Sequence, residues 1–481
     1  MKPLNTYMFF KLVMMLLLTA SGCSSTDLLT RGEPYNNDSS AGGRIITFAY
    51  QTYGSKAEME KLIEQYNSEN KDRIQVQLLD IPKDDYTRVL NMELIAGSAP
   101  DLFSFQEEWK TTYVFKNWLT DLTSTINEAA GLPSLTNWDK HYGSYNEQLY
   151  SIPNGVTSLR LIFNKYLFQS SGLDPDNPPK TLDELARYAQ VISEGNLGYQ
   201  KYGFAWPLDE NWLGYNHGME IPLTYSGITT FDYKKGEYNI TSVKPWLDTM
   251  LQMKASGAML PGELSLKYDT ALTQFAKGNV GMMFATSSDV YKLENELGMS
   301  LDWGVAMPPA VDGDSKGKGA LMLVPEPMIG VNNSSEVKEE AIKFWTFLHQ
   351  SKTIRHLYNR GAYYPAYEQL RNPVPSTTSK QFASFKPSKL ESYYPAQPIL
   401  LNSRNRMPSI SNEVTWNSRN QAYQEIVMGK LPVKETLENE TGRMNLILRT
   451  AVRYNQIRLE DYKKPQFDPL HPLISDFKDA Q

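Results

Sequence analysis

Ile45-Ile46-Thr47-Phe48-Ala49-Tyr50 is β-branched or aromatic at all but one position, a composition that specifies a strand. Beyond it, Met59, Leu62, Ile63 and Tyr66 recur at helical spacing and form one apolar face. Ile74, Val76 and Leu78 then alternate as a second strand. Asp84 or Asp85 stands where it could cap a helix carrying Tyr86, Val89, Leu90 and Leu94, and Gly97 is placed to end that helix. Asp101-Leu102-Phe103-Ser104-Phe105 reads as the next strand. Strands that alternate with helices in this way imply crossover units and a mostly parallel sheet, hence an α/β fold.

The pattern returns further along. Leu161-Ile162-Phe163 is a short apolar run, and Thr181-Leu182-Asp183-Glu184 is a capping box that opens a helix through Leu185, Ala189 and Ile192. Val280 to Phe284 reads as a strand. A helix begins near Asn333, with Val337, Ala341, Phe344 and Leu348 on one face. From about Leu390 helices dominate, and no internal repeat is visible. The chain has 481 residues, 41% of them hydrophobic, enough for a large core and at least two lobes.

The first 43 residues differ in kind from the rest of the chain. Lys2 and Lys11 flank the start of an apolar run from Leu12 to Ala20, too short to span a bilayer and suited to the h-region of a secretory signal peptide. Ala20-Ser21-Gly22 precedes Cys23, the single cysteine of the chain, which excludes an internal disulfide or a cysteine-rich metal site. A cysteine directly after small residues resembles a bacterial lipobox, although Ala20 stands where leucine is usual. The resemblance implies that residues 1–22 are removed and that Cys23 carries lipid on the extracytoplasmic face of the cell membrane. Residues 23–43 are polar and turn-rich. They read as a flexible tether spanning roughly 25 Å.

Composition and motifs narrow the chemistry. A formal net charge of -6 offers no basic surplus for a phosphate backbone, so no nucleic-acid partner is expected. No GxSxG elbow, P-loop or HExxH motif is present, and the five histidines form no ligand set. Asp312-Gly313-Asp314-Ser315 has the look of a calcium loop, but Leu323 occupies the place of its acidic twelfth ligand, so a polar turn is the better reading. No cofactor, no metal and no catalytic residue is expected.

Several segments, in order, resemble the family 1 extracellular solute-binding proteins, the maltose-binding-protein-like group. Gly97-Ser98-Ala99-Pro100-Asp101 is similar to that family's G-x-x-P-D segment, and Leu119-Thr120-Asp121-Leu122 to its Leu-x-Asp-Leu element. Tyr150-Ser151-Ile152-Pro153 followed by Phe163-Asn164-Lys165 resembles its crossing into the second lobe. Pro179 to Leu185 and Phe275 to Met282 match its P-x-T-x-x-E-L and F-x-x-G-x-x-A-M elements, with Gly281 in the alanine place. Ala341 to Leu348 and Val427-Met428-Gly429-Lys430 fit two late helices. The resemblance implies a two-lobed type II fold, with lobe 1 at 44–155 plus 326–372 and lobe 2 at 156–325 plus 373–481. It also implies a cleft that closes by hinge motion on a carbohydrate, delivery to the membrane subunits of an ABC permease, and a monomeric, non-enzymatic receptor.

A sugar needs aromatic rings for its C–H faces and polar groups for its paired hydroxyls, and open sheets place ligands beyond the carboxyl ends of strands. Candidates past the first strand are Tyr50, Gln51 and Tyr53. Past the next come Phe105, Glu108 and Trp109. Here the resemblance puts Phe105 in the place of a stacking tryptophan and Glu108 in that of a hydroxyl-binding aspartate. In the second lobe Trp206 and Trp212 qualify, with Trp212 near a family stacking tyrosine, and Trp416 lies near the family's last stacking tryptophan. The usual tryptophan after Phe284 is missing; Ser287, Ser288 and Asp289 stand there as polar substitutes. Glu326, and Tyr364 after Tyr363, complete the set. Each aromatic has core packing as its plainer role, and each acid a solvated loop or helix start. Two rival readings share these residues: a ligand sensor feeding a kinase, and a surface glycosidase built on paired carboxylates such as Glu107, Glu108 and Glu326.

Overall fold

The computed structural model describes residues 44–51, 56–82, 85–209, 212–326, 328–398, 408–455 and 457–473. The signal-peptide, Cys23 and tether expectations lie outside the described residues, as does Tyr53. Among the described residues, no helix is long and apolar enough to cross a membrane.

The chain forms an α/β fold with two main four-stranded sheets joined by a small third sheet. In the first, Ile45–Ala49 is central, parallel both to Gln75–Leu79 and to Leu102–Phe105. Met328–Val331 joins Leu102–Phe105 in antiparallel register, Met328 opposite Phe105 and Val331 opposite Leu102. The carboxyl ends of the two early strands and the start of this late one therefore share one edge. The helix Tyr86–Ala96 ends as its sequence predicts. Gly97 takes a φ of 74° and its N–H closes on the Glu93 carbonyl. Of the two acids expected to cap its start, Asp84 lies outside the described residues and Asp85 occupies the cap position. The Asp85 side chain makes no cap bond, because its carboxylate is held by Arg88 at 2.7 Å.

The second sheet runs in the order Trp303–Ala306, Leu159–Asn164, Val280–Thr286, Tyr202–Phe204. Val280–Thr286 is parallel to Tyr202–Phe204 but antiparallel to Leu159–Asn164, with Thr286 opposite Leu159. Beside this sheet, Leu182–Gly195 is capped as read from sequence. Thr181 Oγ1 accepts from Glu184 N at 3.3 Å, and the Glu184 carboxylate reaches back to Lys180 N at 2.6 Å.

Between the two sheets lies the three-stranded crossing sheet, with Gly155–Thr157 in the middle and Val324–Pro325 and Tyr364–Pro365 on its flanks. The chain passes through it three times. Two buried ion pairs brace the second lobe. Arg160 meets both oxygens of Glu391 at 2.8 and 2.7 Å, and Arg419 meets Glu220 at 2.6 Å. The helix Pro408–Val427 of the second lobe lies against Glu107–Phe115 of the first.

Candidate functional site

The site is built where the sheet edges meet the crossing strands. On the first-lobe side, Tyr86 Oη ties the strand ends together. It lies 2.9 Å from the carbonyls of both Ala49 and Ser104, and it accepts from Ser104 N at 3.1 Å. Ser104 Oγ in turn accepts from Gln51 N at 2.8 Å. This network fixes the turn that carries Tyr50 and Gln51. Tyr50 sits deep in the molecule yet keeps part of its surface accessible, as a residue lining a cleft does. Burial raises its phenol pKa above the ordinary tyrosine range, and the charge of Glu326 adds to that.

Glu326 enters from the second crossing. Its N–H bonds the Gly155 carbonyl at 3.0 Å, and its carboxyl accepts from Thr157 Oγ1 at 2.5 Å. Burial pushes it up to about 7, the Thr157 bond works against that rise, and Asp289 of the second lobe adds to it. Tyr363 packs on the same spot from the third crossing. A Cβ at position 155 would lie 2.6 Å from the Tyr363 ring and 2.9 Å from Glu326 Cγ, so this close approach needs glycine.

On the second-lobe side the turn after Val280–Thr286 supplies hydroxyls. Asp289 Oδ2 accepts from Thr286 N at 2.7 Å, from Thr286 Oγ1 at 2.8 Å and from Tyr268 Oη at 2.5 Å, which holds the turn in shape. Ser287 N reaches the Ser158 carbonyl beside the first crossing at 3.2 Å. Ser288 Oγ lies 3.0 Å from Thr286 Oγ1, while Ser287 Oγ is fully buried and bonds nothing among the described residues. Aromatic rings, carboxyls and hydroxyls from both lobes thus converge on the crossing sheet. No group of histidine, cysteine, aspartate and glutamate side chains suited to a metal ion occurs among the described residues.

A sequence signature described as bacterial extracellular solute-binding protein matches residues 52–352. The chain belongs to that family. Among curated relatives of this solute-binding protein, a probable amino-acid ABC transporter periplasmic-binding protein of Sinorhizobium fredii is 25% identical over 300 residues, 59% of this chain and 64% of that one, just under two thirds of its length. An sn-glycerol-3-phosphate-binding periplasmic protein of Pectobacterium atrosepticum is 22% identical over 90% of this chain and 96% of its own. Among solved structures, an ABC substrate-binding protein of Listeria monocytogenes in complex with cycloalternan superposes with a TM-score of 0.67 at 19% identity, covering 85% of this chain and 99% of that one. The GacH receptor of Streptomyces glaucescens, solved unliganded and with acarbose, gives 0.67 at 16% identity over 85% and 98%. These likenesses establish the two-lobed solute-binding fold.

The structure brings together Tyr50, Gln51, Glu326, Ser287 and Ser288 of the residues read from sequence, and sends three others elsewhere. Phe105 is buried in the first-lobe core, its ring 5.7 Å from Tyr113 and against the Cα of Gly330. Trp206 is sealed in the second-lobe core, with Nε1 bonded to the Gly214 carbonyl at 2.9 Å. Tyr364 stacks flat on Phe382 at 4.6 Å and 6°, so its faces are taken. It is the neighbouring Tyr363 that reaches Glu326, because successive side chains of a strand point to opposite sides. Trp109 is half-buried and stacks on Tyr113 at 5.8 Å. Glu108, Trp212 and Trp416 are placed by their helical backbone, and their side chains lie outside the described residues. The backbone nonetheless sets the helix that carries Glu108 against the helix that carries Trp416. Thr157 is an addition that no pattern marked.

Proposed function

We propose that this protein is the carbohydrate receptor of a bacterial ABC importer. It is tethered by lipid on Cys23 to the extracytoplasmic face of the membrane, and it acts as a monomer that closes on its ligand and hands it to the permease. The convergence of Tyr50, Tyr363, Glu326, Ser287 and Ser288 at the crossing strands carries the reading. Rings that stack on C–H faces stand beside groups that bond hydroxyls, the pairing a sugar needs. The sugars held by the Listeria and Streptomyces neighbours support it.

Closure is a consequence of the same layout. A ligand that bridges groups of both lobes binds the closed form more tightly than the open one, and that difference alone shifts the population. The discriminating experiment is a thermal-shift screen of the mature chain against a glycan panel, followed by chromatography of any ligand after long incubation. A receptor is stabilised by about 2.7 kcal/mol with ligand at 100 times its dissociation constant and returns the ligand intact. Cleaved product would move the reading to the glycosidase class.

A further inference from the structure

The helix Pro408–Val427 carries Trp416 and lies against the first-lobe helix Glu107–Phe115, so whatever fixes its place also sets how the two lobes meet there. Its later half is seated at two points on the π-helix Trp212–Glu220. Arg419 meets Glu220 at 2.6 Å, their side chains 1% and 11% exposed, and one turn on the Tyr423 ring stands 5.3 Å from that of Tyr215. The order of these contacts makes the two helices antiparallel. Arg419 and Tyr423 are four apart and share a face of an α-helix. Tyr215 and Glu220 are five apart, and in an α-helix they would stand roughly 140° from each other around the axis. Bonds from i to i+5 widen the turn and bring both to one side. Such wide turns are rare and concentrate at functional sites. The seat is itself braced: Thr230 Oγ1 donates to Glu220 at 3.3 Å, and Tyr215 packs edge-on against Trp206 at 6.4 Å. At the far end of the helix, Lys254 Nζ donates to the Val427 carbonyl at 2.7 Å and pairs with Glu263 at 2.7 Å.

We propose that Arg419 and Glu220 are positioning residues of the cleft: their pairing sets the rotation and axial register of the helix Pro408–Val427, and with it the place of Trp416 beside the first-lobe helix. Position 416 lies three residues before Arg419 and seven before Tyr423, on the same stripe of the helix as both anchors. The inference rests on the receptor reading and goes beyond it by naming groups that act on the cleft without touching a ligand. An apolar pair in the same place would bury similar surface, but apolar burial has no direction, so the helix could slide or turn at little cost. A charged pair at hydrogen-bond distance has a set geometry and resists both motions.

The test uses the soluble mature chain with Cys23→Ser, which leaves no native cysteine. Spin labels go on exposed positions in two pairs: Gln190→Cys with Gln421→Cys inside the second lobe, and Phe115→Cys with Gln421→Cys across the lobes. Arg419→Met with Glu220→Leu removes both charges and strands neither, so the fold should hold. In that double variant the melting temperature should stay near that of the wild type, while both label-distance distributions widen by about 5 Å, one helical turn. Whichever of maltotriose, xylotriose and raffinose the wild type binds should be bound about tenfold more weakly. Distributions as narrow as in the wild type overturn the proposal, and so does undiminished sugar affinity. Should none of the three sugars bind the wild type, the carbohydrate reading loses its support and the label pairs alone decide the anchoring. Should the double variant not fold, Glu220→Gln, which keeps the size and loses the charge, decides by the same measurements.

Discussion

Arg160→Met isolates the worth of the buried ion pair that ties the strand Leu159–Asn164, just past the first crossing, to the late segment around Glu391. Arg160 and Glu391 side chains are 4% and 0% exposed, so neither charge has water to fall back on. Glu391 also accepts from Ser388 N at 2.8 Å and from the Ser158 hydroxyl, and Arg160 donates to its neighbour's carbonyl, Leu159 O, at 2.9 Å. Methionine fills much of the arginine stem's volume but leaves the carboxylate facing an apolar wall. Removing one partner of such a pair costs about 3–5 kcal/mol, whereas replacing both with apolar residues is often neutral or better. Urea unfolding of wild type, Arg160→Met, Glu391→Leu and the double variant closes the cycle. The two single variants should each lose about 3–5 kcal/mol, and the double variant should regain most of that loss. A double variant as unstable as the sum of the singles would refute the argument, since the cost would then lie in packing rather than in a stranded charge.

Other outcomes rest on the same structure. Burial holds His349 down to about 4 against its ordinary 6.5, only partly offset by backbone bonds to Trp345 and Ile152. Its contribution is therefore present above pH 6.5 and lost as pH falls toward 4, about 3 kcal/mol in all. His349→Gln should flatten the acid limb of a stability–pH curve, and an unchanged limb would count against the assignment. Trp206→Ala should cost about 3–5 kcal/mol of stability, as for a large core side chain. Trp416→Ala should instead leave the melting temperature nearly unchanged and weaken sugar binding by about 1–3 kcal/mol, by analogy with stacking on aromatics; a melting loss equal to that of Trp206→Ala would make it core. Cys23→Ser should move the protein from the membrane fraction to the soluble fraction, and equal retention would defeat the lipobox reading.

What sequence made legible was whatever repeats or caps. The faces of Met59–Tyr66 and Ala341–Leu348, the Thr181 capping box and the glycine stop at Gly97 each have a local cause, and each appears in place. The crossing sheet was not legible in this way. Gly155–Thr157, Val324–Pro325 and Tyr364–Pro365 are too short to show a period, and only distant partners make them strands. The aromatics were hard for a related reason. A ring past a strand end looks the same whether it faces a cleft or a core, and contacts such as Phe105 with Tyr113 or Tyr364 with Phe382 come from residues far along the chain or on another element. A shift of one residue separates Tyr363 at the site from Tyr364 in the packing. Asp85 illustrates the converse error: the right residue type for a cap stands at the helix start, but Arg88 takes its carboxylate.

The antiparallel seam between Leu102–Phe105 and Met328–Val331 also bears on the order of events during synthesis. The first sheet lacks its edge strand, and the helix Lys338–His349 that packs on it, until the whole second-lobe sheet has been made. The second lobe in turn lacks Val433–Arg453 until near the end of the chain. Neither half can close its core while the ribosome is still at work, and contacts this far apart in sequence form slowly. If the chain is exported unfolded, as the receptor proposed above would be, this order of assembly gives it time. The same interleaving that ties the two sheets together keeps either core from being completed early.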